Sequence, residues 1–263
     1  MSGVSEHYDR VTHQTRGERT KGVLYQLKLV HNSWKRRLLQ QYAFTADTLL
    51  DIGCGRGGDI QKWNDCHVRR VHGVDASHQL IQEAMRRASA SRFRTLCTFE
   101  VHDFRRPYNP MTRYAVVSTF FCLHYFCGSF HDCRTLLESV SSALRPQGFW
   151  IGICLDARKV VSWIRDDKTS PYVRIRNLSV PVTDDESDGF GQAYAFEMVD
   201  TVTASSAGDA GSVEYLVSMP DVMAVARDVG LHVLFVKPCD IPPGTYAGIE
   251  ASEMCLQFCF VKK

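Results

Sequence analysis

No Cys-x-x-Cys pair occurs among the ten cysteines of this 263-residue chain, and their spacings do not combine with nearby histidines into a zinc pattern. Most of the thiols lie in apolar runs such as FFCLHYFC, IGICLD and MCLQFCF, where a thiol behaves as a buried hydrophobe. Neither a metal site nor a disulfide framework is expected. No apolar run approaches the roughly 18 residues of a membrane span, and MSGVSEHYDR lacks the apolar segment of a secretory leader. These absences predict a soluble, intracellular protein without membrane contact. Internal repeats are missing too. The net charge is only +2, but it is unevenly spread: residues 1–45 carry eight Lys/Arg against three Asp/Glu, and TDDESDG near residue 183 is acidic. A basic N-terminal face suits an anionic partner, although a solvated helix face explains the charge equally well.

What is present is enough apolar content, 44% of residues, for one sizeable α/β core. From about Thr20 to Tyr42 the apolar residues Val23, Leu24, Leu27, Val30, Trp34, Leu38 and Leu39 recur at helical spacing. Four β-rich runs follow, TLLDIGC, VRRVHGVD, LCTFEVHD and YAVVSTFF, separated by helical patterns over Gln79–Ala88 and Asp132–Leu144. RPQGFWIGIC adds a turn and a fifth strand. After a helix to about Asp166 come β-like pieces around 172–178 and 193–199. The helix-like MPDVMAVARDVG then precedes the strands LHVLFVK and MCLQFCFVK. TASSAGDAGS reads as a mobile loop. The alternation predicts an α/β fold with a mainly parallel seven-stranded sheet, an antiparallel C-terminal pair and helices on both faces.

Gly53, Gly55 and Gly58 in LLDIGCGRGGDIQKW satisfy the dinucleotide fingerprint, which alone is weak. Asp51 precedes the first glycine by two residues and Asp59 follows the last. A carboxylate about 4 to 6 Å from a pyrophosphate would cost about 2 to 4 kcal/mol, so an acidic turn suits a cationic ligand better than NAD. S-adenosylmethionine is such a ligand. Asp75, 24 residues beyond Asp51, stands where an acid accepts ribose hydroxyls, and Asp103 can take the adenine amino group. Three strands ending in acids at one edge are more specific than the glycines, although aspartates after strands are also common turn formers. The fourth strand, STFFCLHYF, lacks the Asn/Asp-Pro-Pro-Tyr motif of methyltransferases acting on exocyclic amines. It offers His124 and Tyr125, which read either as ligand-binding groups at the carboxyl edge or as core residues.

LLDIGCGRGGDIQKW followed by FFCLHYF resembles the mRNA cap (guanine-N7) methyltransferases, whose glycine motif typically runs Leu-Asp-Leu-Gly-Cys-Gly-Lys-Gly-Gly-Asp-Leu-x-Lys-Trp. The likeness continues in HYDR, LKLVHNSWKRRLL, LRPQGFWIGICLD, EYLVSMP and SEMCLQFCF. It implies a Rossmann-like class I fold in a single catalytic domain over 1–263, with an N-terminal helical extension at 1–45 and a cap-binding insertion at about 168–218. It implies that Lys35 holds the methionine carboxylate of S-adenosylmethionine, with Asp51, Gly53, Gly55, Asp59, Asp75, Asp103, Phe120 and Tyr125 around the cofactor. On the cap side it implies His124, Tyr125 and Glu214 at the guanine, Arg56, Lys62 and Arg87 at the phosphates, and Tyr8, His31 and Asn32 nearby. Lys62 and Arg87 also read as exposed helix charges, and Glu214 as a solvated loop acid. The chain departs from the pattern at His31 (Asn in the family), Phe120 (Gln), Leu155 (a proline) and Cys255 (an aromatic).

The activity so implied is transfer of a methyl group from S-adenosylmethionine to N7 of the guanine cap, without metal. N7 has a lone pair and no proton to lose, so the reaction needs in-line positioning rather than a general base. The alternatives are a methyltransferase of another substrate and an inactive cofactor-binding subunit of a capping complex. The implied partners are capped RNA and other capping enzymes (guanylyltransferase, triphosphatase) in cis or in trans, for a monomer serving a nucleus or, alternatively, a viral or cytoplasmic site. HYDR stands almost at the start, so the chain also reads as a catalytic domain belonging to a longer capping protein.

Overall fold

A computed structural model of the protein describes residues 22–179, 189–199 and 212–263; Tyr8, nearly all of the acidic stretch at 183, and TASSAGDAGS apart from its last serine lie outside them. Helix α1 (Tyr25–Tyr42) buries Leu27, Val30, Trp34, Leu38 and Leu39 of the predicted stripe and leaves Arg36 and Arg37 exposed; Leu24 is buried at its N-cap, while Val23 lies before the helix and is exposed. Strand β1 (Thr48–Ile52), helix α2 (Ile60–Asp65), strand β2 (Arg70–Asp75), helix α3 (His78–Ser89) and strand β3 (Leu96–Val101) make two successive crossovers. Then follow β4 (Tyr114–Phe120), a single 3₁₀ turn over Leu123–Phe126, α4 (Phe130–Ala143), β5 (Leu144–Leu155) and α5 (Ala157–Arg165). The chain continues through β6 (Val173–Asn177), β7 (Ala193–Met198), β8 (Ser212–Tyr215) and α6 (Met219–Asp228). It ends with β9 (Leu231–Pro238), α7 (Ile249–Glu253) and β10 (Cys255–Lys262).

The main sheet has the order β3-β2-β1-β4-β5-β10-β9. The first five strands are parallel, and β10 runs antiparallel to both β5 and β9. Strands β1 and β4 are buried at every position, as parallel strands covered on both faces must be. One face packs Trp34 and Trp63 from α1 and α2; the other packs Leu136, Leu137, Val222 and Ala226 from α4 and α6. Because the order reverses between β2 and β4 around β1, a crevice opens at the carboxyl ends of these strands. A separate antiparallel sheet, β6-β7-β8, comes from the segment expected to be an insertion. Gly191 N–H donates to the Cys127 carbonyl at 2.9 Å, which ties the approach to β7 to the end of the 3₁₀ turn.

Candidate active site

The crevice is a cleft of about 170 Å³ walled by Gly53, Gly55, Asp75, Asp103, Phe121 and Tyr125. Gly53 adopts φ +71°, and a Cβ there would lie 2.8 Å from both Cβ and Sγ of Cys122. Only glycine lets the turn pass this close. Gly55 donates its N–H to Asp75 Oδ2 at 2.9 Å, and Ser77 N–H donates to Asp75 Oδ1 at the same distance. Two backbone donors thus aim the Asp75 carboxylate, which keeps further lone pairs for hydroxyl groups of a ligand. Asp103 is gripped by Arg105 at 2.6 and 3.0 Å. Burial pushes its carboxyl up, but the Arg105 hydrogen bonds outweigh this and hold it below the usual range.

The other two acids sit behind the wall. Asp51 is buried and accepts the Ser118 hydroxyl at 2.5 Å; burial and the neighbouring Asp59 push its carboxyl up to about 7. Asp59 is buried too, with Lys35 Nζ at 2.8 Å and Lys62 Nζ at 2.7 Å. Burial works against its ionisation, yet the two ammonium groups hold it at about 2. Its charge is therefore balanced inside the protein, as that of Asp103 is by Arg105, whereas the donors that Asp75 accepts are backbone N–H groups. Ser118 and Cys122 act in this wall without having stood out in the sequence, since each lies in an apolar strand-like run.

Lys35 also lies over the rings of Phe120 and Phe121, at 5.4 and 5.7 Å. Phe121 takes φ +58°, and its ring stacks on His31, which stacks in turn on Trp34. His31 Nε2 bonds Ser252 Oγ at 3.1 Å, and Asn32 donates back to the Lys28 carbonyl within its own helix. Lys62 is 4% exposed and also donates to the Gly58 carbonyl; it is neither the exposed helix charge nor a freely projecting cation. Arg87 pairs with Glu83 at 2.7 Å on α3, and Arg56 is half-buried on the glycine turn.

The 3₁₀ turn carries Tyr125, which lines the cleft, and His124, which is buried behind it. Facing them is Glu214 on β8, 3% exposed and no solvated loop acid. Glu214 Oε1 lies 3.6 Å from His124 Nε2, while Glu214 Oε2 accepts the Tyr194 hydroxyl at 2.8 Å across the β7–β8 pair. Burial raises the Glu214 carboxyl to about 8, against the Tyr194 hydrogen bond, and lowers His124 to about 3, so both are uncharged near neutral pH. Neither ring nitrogen of His124 has a hydrogen-bond partner. Two unpaired nitrogens on a buried ring cost too much to leave unfilled unless a ligand or water satisfies them. Tyr125 Oη meets Ser212 Oγ at 3.2 Å, a second link between the turn and β8. Tyr194 and Ser212 escape sequence reasoning because their roles arise only when β7 and β8 pair.

The profile of the mRNA (guanine-N(7))-methyltransferase domain matches residues 1–241. This chain belongs to that family. Among relatives, the mRNA cap guanine-N(7) methyltransferase 1 of Arabidopsis thaliana is 28% identical over 254 residues, covering 89% of this chain and 66% of that protein. The mRNA cap guanine-N(7) methyltransferase of Saccharomyces cerevisiae is 26% identical over 262 residues, covering 89% and 57%. That of Eremothecium gossypii is 33% identical over 165 residues, covering 59% and 38%. The chain thus spans 66% or less of the length of these three relatives. Among solved structures, the CcbJ methyltransferase from Streptomyces caelestis superposes with a TM-score of 0.60 at 16% identity, over 88% of this chain and 95% of that one. The N-methyltransferase NodS from Bradyrhizobium japonicum, in complex with S-adenosyl-l-homocysteine, gives 0.59 at 14% identity, over 98% and 97%. These likenesses establish the class I methyltransferase fold.

Proposed function

We propose that this family member methylates N7 of the guanine cap of RNA, using S-adenosylmethionine bound in the cleft. The reading rests above all on the Glu214–His124 pair: a buried carboxyl with one oxygen fixed by Tyr194, opposite a ring with two unpartnered nitrogens. Such a pair suits a planar ligand that carries several adjacent donors and acceptors, as guanine does. The cleft fits the cofactor as well. Asp75 is aimed by two backbone N–H groups, Phe121 and Tyr125 offer aromatic faces, and Gly53 and Gly55 meet the cleft with backbone alone. When bound, S-adenosylmethionine supplies an electrophilic methyl group.

The protein's share of the work is placement and charge. Asp75 would hold the ribose and Asp103 the adenine side, with Lys35 turned toward the cofactor carboxylate. Arg56, Arg87 and Lys62 are proposed for the cap phosphates, Lys62 only by releasing Asp59. His31 and Asn32 support α1 and Phe121 on this reading rather than touching the guanine. Burial keeps a proton on Glu214 near neutral pH. The N1–H and N2–H donors of guanine favour the carboxylate over the acid, so binding releases the Glu214 proton to solvent. The resulting negative charge stands beside a ring that becomes cationic on methylation, which stabilises the transition state without any acid–base step. The natural setting of such an enzyme is wherever capped RNA is made, the nucleus foremost, alongside the enzymes that add the cap.

Transfer of labelled methyl to GpppG-capped RNA, with none to uncapped RNA, is the result expected of the purified chain. Equal labelling of both, or of neither, sinks the reading.

A further inference from the structure

Resting on that reading, we infer that the RNA following the cap is held by a second site at the far end of α3, built from Arg69, Arg70, Arg92 and Arg94 around an exposed Phe44. Helix α3 connects the two places. Its N-cap, Ser77, lines the cleft, and its last turn, Ala88 and Ser89, lines a groove of about 190 Å³ completed by Phe93, Thr95 and Leu96. Twelve residues of helix span roughly 18 Å, and Arg87, proposed for the cap phosphates, lies in the final turn on the way.

Backbone pairing brings Arg69, Arg70 and Arg94 to this end of the fold, and Arg92 directly precedes Phe93 of the groove. Arg70 stands opposite Leu96 in the β2–β3 register, Leu96 N–H donates to the Arg69 carbonyl at 3.0 Å, and Arg94 N–H donates to Asn64 Oδ1 at 3.0 Å. All four arginine side chains are exposed, and among the described residues none has a carboxylate within ion-pair distance. The nearby acid Asp65 is already engaged by Arg36 and Gln61. Exposed Asp47, whose carbonyl accepts the Arg70 N–H at 3.1 Å, also lies at this end, but four arginines outnumber it, and an anion relieves the excess positive charge.

The aromatic component is adjacent. Phe44 is 57% exposed and sits edge-on to His67 at 5.7 Å, beside Arg69. The loops that carry them are locked together: Thr45 N–H donates to the Cys66 carbonyl at 2.8 Å, and Arg69 N–H to the Ala46 carbonyl at 2.9 Å. A fixed, exposed ring flanked by unpaired arginines is the combination that binds single-stranded nucleic acid without sequence preference: the bases stack and the phosphates meet the guanidinium groups. An acidic polypeptide would use the arginines but not the ring.

Fluorescence anisotropy with a capped single-stranded RNA of about ten nucleotides tests this against GpppG alone. The wild-type chain is expected to bind the oligonucleotide about tenfold more tightly than GpppG. Arg69→Ala/Arg70→Ala and Arg92→Ala/Arg94→Ala should each erase most of that gain and flatten the log-affinity against log-salt slope by about 1.4, at roughly 0.7 per phosphate contact. Phe44→Ala should weaken oligonucleotide binding severalfold without changing the slope. In all three variants GpppG methylation should stay at the wild-type rate. Equal affinity for the oligonucleotide and GpppG, or variants that bind the oligonucleotide normally, would overturn the inference. So would displacement of the RNA by an Asp/Glu-rich peptide of equal charge at equal concentration, which would mark the patch as a protein-binding surface. Oligonucleotide binding that depends on the arginines, in a chain that fails to methylate GpppG, would support the patch and reject the catalytic reading alone.

Discussion

Glu214 Oε1 and His124 Nε2 face each other across 3.6 Å, too far for a hydrogen bond and too enclosed for water to screen. The native state therefore keeps a proton on Glu214 that the unfolded chain, with its carboxyl at the model-compound value of 4.5, has released by neutral pH. Since the folded state binds more protons between about 4.5 and about 8, this group lowers stability as pH rises through that window.

Glu214→Gln removes that slope. The amide leaves a donor unsatisfied, a roughly constant cost of about 1 to 3 kcal/mol, while the relief of the buried charge grows with pH toward several kcal/mol, on the order of 1.4 kcal/mol per unit of displacement. The melting temperature of the variant relative to the wild type is therefore expected to climb from about pH 5 to about pH 8 and to level off above it. A difference that stays flat over that range would mean Glu214 is ionised in the folded protein.

Tyr194→Phe tests how the carboxyl is held. The change leaves Glu214 Oε2 without its donor and raises the Glu214 carboxyl further, so ionisation on guanine binding becomes harder. KM for GpppG should rise by about tenfold, equivalent to about 1.4 kcal/mol, with cofactor affinity measured by calorimetry unchanged. An unaltered KM would leave Tyr194 as a packing residue only.

The balance between Asp59 and its two lysines bears on Lys62. If its first duty is to pair with Asp59, then Lys62→Met and Asp59→Asn should each destabilise the chain by about 3 to 5 kcal/mol, the cost of breaking a buried pair. Chemical denaturation of the double variant should show a coupling of about 1 to 3 kcal/mol. Additive effects would release Lys62 from Asp59 and strengthen its assignment to the phosphates.

Much of this arrangement is legible in the sequence, because the period-2 and period-3.6 patterns and the Asp-rich strand ends are local features. Residues 48–121 read as strand, turn and helix in the order found, and Asp75, Asp103, Gly53, Gly55 and Tyr125 converge on one cleft. What local pattern cannot express is which acid faces out. Asp51 and Asp75 both stand at strand ends, yet Asp51 lies on β1 between two neighbours and is buried with Ser118, whereas Asp75 opens to the cleft. The partner of Glu214 depends on the β7–β8 register, and the arginine patch joins segments brought together by the β2–β3 pairing and by bonds to Asn64 and Ala46. The short α7 is similarly silent in sequence: it is five residues long, too short for a period to show.

Asp75 itself gives the sharpest test of the cofactor side. Its two oxygens accept Gly55 N–H and Ser77 N–H at 2.9 Å, so the carboxylate both shapes the glycine turn and faces the ligand. In Asp75→Asn one of these acceptors becomes an NH₂ group that opposes a backbone donor, and the ligand loses the acceptor and the negative charge of that oxygen. S-adenosylmethionine affinity is expected to fall at least tenfold, about 1.4 kcal/mol, by calorimetry. Asp103→Asn should cost less, because Arg105 still anchors its oxygen at that position. If the two substitutions weaken binding equally, the turn-shaping role of Asp75 adds nothing to ligand binding. If Asp75→Asn leaves affinity unchanged, the ribose assignment fails altogether.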